Sequence, residues 1–520
     1  MKNIGSLTIR IMLGAVFIGA AFITARSYDS TPLKNRSLDL LSQSYKLSKN
    51  LNTYDRTFAL LMILNNGRDI IPDSDYKNWS IEMREQAKDI LDGWDRVAQE
   101  KNAIVALSKV DPLQALREFS KIDDPLPQSD NTFPEDVRAD AASTIFVNAW
   151  NSQTSYDSRM QVLKDIEREA ARLPKAKNGG EYAYAAMASI IKALINERTD
   201  ESKEEANKIF REALDYYRVE PDKFRNRDDE FGDLLNKMKD LIGDRQLLSE
   251  AAEVFVNKVL GSPQYRDYSS EIQTSTNETI HFSDDRVERL FFAFPTIQEL
   301  APGRATELKK HNPDFGKPAN PKDLITGGYV ALDKEARQAQ LAHSKIRQHS
   351  IVRRIIELRV GDLDQATALA AGLEDSAIQI QGYTALLPAL VKSNPAKALQ
   401  MYDRERSRLQ EFQNEDDHLA AVVALTEASS YIRDDRLFVE LTKTALKAGA
   451  ILFEEDSRLR PGWPPTGRRG YRGLTEIVAF GTIQRLDLLQ EQVNQLENPS
   501  LKAYLLTFVA KAINESQIKN

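Results

Sequence analysis

Apolar residues recur three and four positions apart in almost every stretch of this chain after residue 35, and alternation at period two is scarce. That spacing gathers them on one face of an α-helix, so the chain is expected to fold as helices packed on helices. In "SLDLLSQSYKLSKNLNTYDRTFALLMIL" the series runs through Leu38, Leu41, Tyr45 and Leu47, then Phe58, Leu61 and Ile63. Further helices are predicted near 76–99, 111–122, 135–150, 157–173, 181–196, 202–217, 229–241, 246–260, 285–300 and 333–360. The series continues near 362–373, 376–393, 395–412, 416–432, 434–453, 472–483, 485–496 and 499–513. Short links between so many helices favour antiparallel hairpins.

One phrase is written twice. "DPLQALREF" at 111–119 and "NPAKALQMY" at 394–402 share Asp or Asn, then Pro, Ala, Leu and an aromatic residue at matching places. Asp111 or Asn394 is expected to cap a helix by accepting from its orphan amides, with Pro112 or Pro395 at the first helical position, where a missing N–H costs nothing. Ala115 or Ala398 then permits close approach of a neighbouring helix, and Phe119 or Tyr402 covers the same face four residues on. Weaker copies stand at Asp362, Ala366 and Ala370, and at Pro302 and Ala305. A second phrase, "LEDSAIQIQGYTALLPAL" from 373, resembles "LENPSLKAYLLTFVAKAI" from 496. A recurring helix, turn and helix is the mark of repeat architecture. The expected fold is therefore all-α, an irregular α-solenoid of antiparallel helical hairpins.

"ANKIFREALDYYRVEP" resembles the second helix of a tetratricopeptide repeat, with Ala206, Phe210 and Ala213 at that repeat's small, aromatic, small spacing. Pro221 falls later than the closing proline of that family, and no Trp, Leu-Gly and Tyr signature precedes the segment. The chain is thus similar to degenerate tetratricopeptide-like or HEAT-like repeat proteins. The resemblance implies binding of a peptide or protein on the concave face, and it transfers no individual binding residue.

Composition removes several classes of function. Seventy Lys and Arg against 77 Asp and Glu leave a net charge of -7 with no long block of either sign, which argues against a nucleic-acid protein. Without cysteine there is no disulfide, thiol nucleophile or Cys-ligated metal. The five histidines, His281, His311, His343, His349 and His418, show no metal-binding spacing. GxSxG, GxxxxGK[ST] and GxGxxG are all missing, so no catalytic residue and no cofactor is assigned. Asp228 with Asp229, Asp284 with Asp285, and Asp416 with Asp417 are adjacent acids whose simplest reading is surface charge, as it is for His281 beside Asp284 and Asp285. The four tryptophans, Trp79, Trp94, Trp150 and Trp463, are scattered.

The N-terminus carries a targeting pattern. Lys2 and Arg10 precede an uncharged stretch from Ile11 to Ala25 that ends in small residues. At 1.5 Å per residue it spans roughly 22 Å, less than a bilayer core of about 30 Å. A cleaved signal peptide is favoured, with a signal anchor over 11–25 and a buried core helix as the alternatives. The chain is then expected to be periplasmic or secreted, touching membrane only through that segment if it is retained.

The expected organisation is a signal segment at 1–25, helical repeats at 35–260, a loop-rich linker with one helix at 261–330, and helical repeats at 331–513. A short hairpin is expected at "ITGGYVAL" within the linker. Inside the last region, "EEDSRLRPGWPPTGRRGYRG" separates two helices by a long insertion, and long loops in compact helical folds tend to be functional. It concentrates Arg458, Arg460, Arg468, Arg469 and Arg472 beside Trp463 and Tyr471, residue types common in binding hot spots, and so nominates an acidic protein segment or anionic polymer as partner. The opposing reading pairs those arginines with Glu454, Glu455 and neighbouring helices.

Two functions follow: a non-catalytic scaffold of the cell envelope that binds a protein or peptide, or an exported all-helical hydrolase acting on an envelope polymer. Intact-mass measurement on protein from the native host should find a chain starting after Ala21 or Ala25. A retained Met1 together with cytosolic fractionation contradicts export.

Overall fold

The computed structural model describes residues 31–122, 137–175, 180–220, 227–264, 270–274, 279–317, 319–325, 348–349, 351–459, 468–479 and 483–518. The signal segment therefore lies outside the described residues, as does the expected hairpin apart from Ile325. The first half holds α1 (Thr31–Ser48), α2 (Thr53–Gly67), α3 (Asp73–Ala87), α4 (Gly93–Ser108), α5 (Pro112–Phe119), α6 (Val137–Asn151) and α7 (Tyr156–Arg172). There follow α8 (Tyr184–Glu197), α9 (Asp200–Val219), α10 (Arg227–Met238), α11 (Arg245–Gly261), β1 (Ser270–Thr274), β2 (Thr279–Phe282), α12 (Asp285–Leu300), α13 (Pro302–His311) and β3 (Ala319–Ile325). A helical stretch at 351–358 leads into α14 (Leu363–Ala371), α15 (Ser376–Ser393), α16 (Pro395–Ser407), α17 (Glu415–Ile432), α18 (Asp435–Leu459), α19 (Arg469–Ala479), α20 (Ile483–Asn494) and α21 (Pro499–Ile518). Almost all of it is helix, and no described helix is long and apolar enough to cross a membrane.

The repeated phrase is one corner used several times. Asp111, Asp362 and Asn394 adopt nearly the same backbone, with φ of -139°, -141° and -152° and ψ of 74°, 81° and 83°. Each side chain accepts from the amide three residues on, at 3.1, 2.9 and 3.1 Å. Each backbone N–H in turn bonds the carbonyl four residues back, at Leu107, Leu358 and Leu390. At Asn394 a single residue ends one helix and starts the next, whereas Asp111 and Asp362 each follow a short turn. Ala301 before Pro302 has the same conformation without a side-chain cap. The alanines of the phrase are buried as their spacing predicts, Ala115 at 0% exposure and Ala398 at 1%.

Each helix packs on its chain neighbour, and alternate helices also touch. The contacts run α2 to α4, α6, α8, α10 and α12 in one series and α15 to α17, α19 and α21 in another. α21 then packs on α2 and, more extensively than any other pair of elements, on α1. Ser44 Oγ donates to the Ala503 carbonyl at 2.8 Å, Asn66 Nδ2 to Thr507 Oγ1 at 2.9 Å, and Arg36 reaches Asp487 and Gln490 on α20. The two ends of the described chain thus share one core.

The hydrophobic clusters follow those contacts rather than the divisions at 35–260 and 331–513. One cluster runs from Val97 to Phe315; the other joins Leu40 through Ala106 to Ile355 through Ile513. α4 divides them, with Ile104 and Leu107 on the first and Ala103 and Ala106 on the second. Nor is 261–330 simply a linker with one helix. It holds α12, α13 and an antiparallel sheet in the order β2-β1-β3, and Ile280, Phe282, Phe291, Phe294 and Phe315 lie inside the first cluster. Turn-rich spelling hid β1 and β2, since five and four residues are too few to show an alternating pattern against it.

Tyr504 stands at the seam, fully buried, edge-on to Phe453 and Tyr471, with its hydroxyl bonded to the Asp55 carbonyl and carboxylate at 3.1 Å. Tyr504→Ala should cost about 3 kcal/mol or more by cavity formation. Hydrogen exchange should then speed up in α1 and α2, more than 400 residues away in sequence. Loosening confined to α18–α21 contradicts the shared core.

Candidate functional site

The insertion after α18 is partly resolved into an internal network. Arg458 ends α18 on the exposed surface, whereas Arg460, Trp463 and the side chain of Arg472 lie outside the described residues. Arg468 is 2% exposed, and its guanidinium donates to Ser457 Oγ at 2.8 Å, approaches Asp55 to 3.5 Å and stacks 4.7 Å from the Phe453 ring centre. Arg469 pairs with Asp456 at 2.7 Å, Asp416 at 2.8 Å and Glu455 at 3.0 Å, and its hydrogen bonds to Asp456 and Asp416 push its basicity further up. Tyr471 is buried and donates to the Met62 sulfur at 3.2 Å.

These contacts correct the nomination of Arg468 and Tyr471 as partner-binding residues, because both are enclosed by the chain itself. The cause is the seating of α19 against α18: a side chain on Gly470 would collide with the Gly449 carbonyl. Arg469 is spent on three carboxylates, as the opposing reading expected for the cluster, with Glu455 among them. Of the nominated side chains that are described, Arg458 is left on the surface.

A second polar cluster, which sequence reasoning passed over, joins the ends of α8 to α12. Glu220 closes α9, and its carboxylate accepts from the Tyr182 N–H at 2.8 Å and the Tyr184 hydroxyl at 2.7 Å. On α10, Arg227 donates to Asp228 at 2.7 Å, to Ser262 Oγ at 3.1 Å and to the Glu220 backbone carbonyl at 3.2 Å. Asp228 also accepts from the Tyr217 hydroxyl at 2.8 Å, and Arg289 of α12 spans Asp228, Asp229 and Asp285 at 3.4, 3.2 and 3.4 Å. Aromatic stacking seals the cluster: Tyr217 lies on Phe231 at 4.0 Å and Tyr182 on Tyr216 at 4.7 Å.

Burial is the largest influence on the acids here. It raises Glu220 to about 7, opposed by the two donors and by the fields of Arg227 and Lys258. It raises Glu230 to about 7 as well, with Glu220, Asp140, Asp229 and Asp233 adding like charge. Asp229 reaches solvent yet is also raised, first by the surrounding protein and then by Asp228 against the pull of Arg289. Tyr184 and Tyr217 are pushed well above the usual phenol range by burial and adjacent carboxylates.

The adjacent acids of the sequence now have a local reason. Asp228 and Asp229 start α10, Asp284 caps α12 with Asp285 beside it, and Asp416 and Asp417 start α17, all at helix N-termini that favour carboxylates. Arg289 and Arg469 neutralise four of them, so they are structural charges rather than acid and base partners. Among the described residues no set of His, Asp and Glu gathers to hold a metal. No local pattern pointed to Glu220, whose neighbours only suggested the end of a repeat helix.

The described surface also holds a groove of about 430 Å³ between α5 and α7. Leu113, Leu116 and Val162 line it together with Arg117, Asp165, Arg168 and Glu169. Arg168 is already paired with Asp165 at 2.9 Å and Glu169 at 3.7 Å, whereas Leu113 is 37% exposed. The groove offers apolar area bordered by both signs of charge. No protein-family model matches the chain, and no curated protein matches it.

Arg468→Ser should lower the melting temperature markedly, since breaking a buried charge pair costs about 3–5 kcal/mol. Arg458→Ser, on the exposed surface, should stay within about 0.5 kcal/mol of the parent. Equal melting curves for the two variants contradict the internal role of Arg468.

Proposed function

We propose that this chain is an exported, non-catalytic scaffold that holds a protein or peptide partner on a helical-repeat surface. The supporting observation is the order of helix contacts. Chain neighbours pair, alternate helices form a series, and α21 joins the end of one series to the start of the other at α2. On this reading the helices form one continuous α-solenoid that passes through the chain termini, with its free ends in the middle of the sequence. Helical stacks of this kind present extended surfaces and little enclosed volume, a geometry that suits binding polymers of amino acids. The enzyme alternative gains no support from the acid cluster, where arginines neutralise the paired aspartates and Glu220 is sealed behind tyrosines. An envelope location rests on the Lys2, Arg10 and Ile11–Ala25 pattern.

The groove between α5 and α7 is the described surface on which we place an extended peptide segment of that partner. Its apolar residues suit alternate apolar side chains, and its Arg117 and Gln161 offer main-chain and polar contacts. The test is a photo-crosslinking residue at 113 in the exported protein, compared with one at Leu91, which is fully exposed but away from the groove lining. A discrete adduct at 113, missing at 91 and lost when Val162→Asp is added, is the expected result. The same adducts at both positions, or none at native abundance, contradict this placement.

A further inference from the structure

The Glu220 carboxylate is buried and, among the described residues, forms no ion pair. Its two oxygens accept from the Tyr182 amide and the Tyr184 hydroxyl, both neutral donors. The nearby cations are committed elsewhere. Arg227 gives its guanidinium to Asp228, Ser262 and the backbone carbonyl of Glu220, and Lys258 gives its ammonium to the carbonyls of Arg218 and Glu220. A carboxylate removed from water without a paired charge favours its neutral form. Protonation costs no hydrogen bond here, because Tyr184 Oη can accept from Glu220 Oε2 as readily as donate to it.

The position of this group gives it leverage. Glu220 caps the end of α9, and its carboxylate fastens the residues leading into α8, while its backbone carbonyl accepts from Arg227 at the start of α10 and from Lys258 of α11. The side chain therefore ties the approach of α8 to the end of α9. The surroundings add negative field. α8 and its approach bring Glu181, Tyr182 and Tyr184, and α9 brings Glu212, Tyr216 and Tyr217. α10 brings Asp228 and Glu230 with Arg227, α12 brings Asp285 and Arg289 around Asp228, and Asp140 of α6 acts on Glu230. Tyr182 and Tyr184 resist ionisation well beyond neutral pH, so they stay neutral donors throughout.

We propose that the junction between the approach of α8 and the end of α9 is a proton-operated joint, closed while the Glu220 carboxyl is protonated and loosened when it ionises. The closed state holds the proton up to about pH 7, whereas a solvated glutamate in the open state releases it at its ordinary value of 4.5. The closed joint therefore binds the extra proton, and closure is fully favoured below 4.5 and weakens as pH rises to about 7. Above that both states are ionised and the dependence ends. Glu230, raised in part by Glu220, broadens the response, because each carboxylate opposes ionisation of the other.

Hydrogen exchange of the full-length protein tests this through the protection factor of the Tyr182 amide, with amides of α21 as internal reference. Between pH 5 and 7 that factor should fall by up to about tenfold per pH unit relative to α21. Glu220→Gln keeps the shape and the neutral state, its amide donating to Tyr184 and its carbonyl accepting from Tyr182, and should remain protected with a flat profile. Glu230→Gln should keep the dependence and move its midpoint downward in pH, because a like charge is removed. A flat wild-type profile, or an unchanged slope in Glu220→Gln, overturns the proposal. Infrared titration of the wild-type carboxyl C=O band gives an independent reading: loss of a protonated carboxyl near pH 7 supports the joint, and its absence above pH 6 overturns it.

Discussion

The packing of α21 on α1 and α2 is the interaction on which the rest of the arrangement depends. It brings Asp55, at the start of α2, against Ser500 and Tyr504, at the start of α21, and sets Arg468 of α19 beside the same carboxylate. Without it the second cluster would lose Leu40 through Ala106, and α2 and α21 would each expose a face. The cost is closure of a loop of more than 400 residues, which grows only logarithmically with length and falls mainly on folding rate. The first helices of the chain cannot complete their burial until the last ones have formed.

A one-residue corner is the second constraint. Asp111 and Asn394 each carry the bond that closes one helix and the cap that opens the next, so the corner between the two is held by two hydrogen bonds. Proline at the next position restricts that residue to extended backbone and removes an amide that would otherwise need a partner. The buried alanine three residues into the short helix then sets how near the following layer lies. Repeating a corner repeats a direction, which is how a chain without regular repeat length still stacks in series.

Charge in this protein is arranged mainly to serve those stacks. Arg289 and Arg469 each knit carboxylates from two helices, while Arg227 pairs with Asp228 beside it and Arg468 approaches Asp55 from the far end of the chain. Glu220 departs from that pattern, its carboxylate accepting from neutral donors at the approach to α8. An apolar groove lies elsewhere, where the eight-residue α5 leaves Leu113 and Val162 lining it.

Helical periodicity, the Asp-Pro and Asn-Pro corners, and the burial of Ala115, Ala398 and Ala206 were determined by local sequence, because capping, proline geometry and a period of 3.6 act over a few residues. The export pattern is likewise local. Three outcomes belonged to the tertiary structure. The strands at 270–274, 279–282 and 319–325 exist because Ile280 and Phe282 are taken up by a core built from distant helices. The arginine cluster reads as exposed until Asp55, some 400 residues earlier, arrives to pair with Arg468. Finally, the chain's two ends share a core because of apolar faces on α1, α2 and α21 whose mutual fit no local pattern encodes. Spacing specifies that a helix has a buried face, and only the assembled fold decides what buries it.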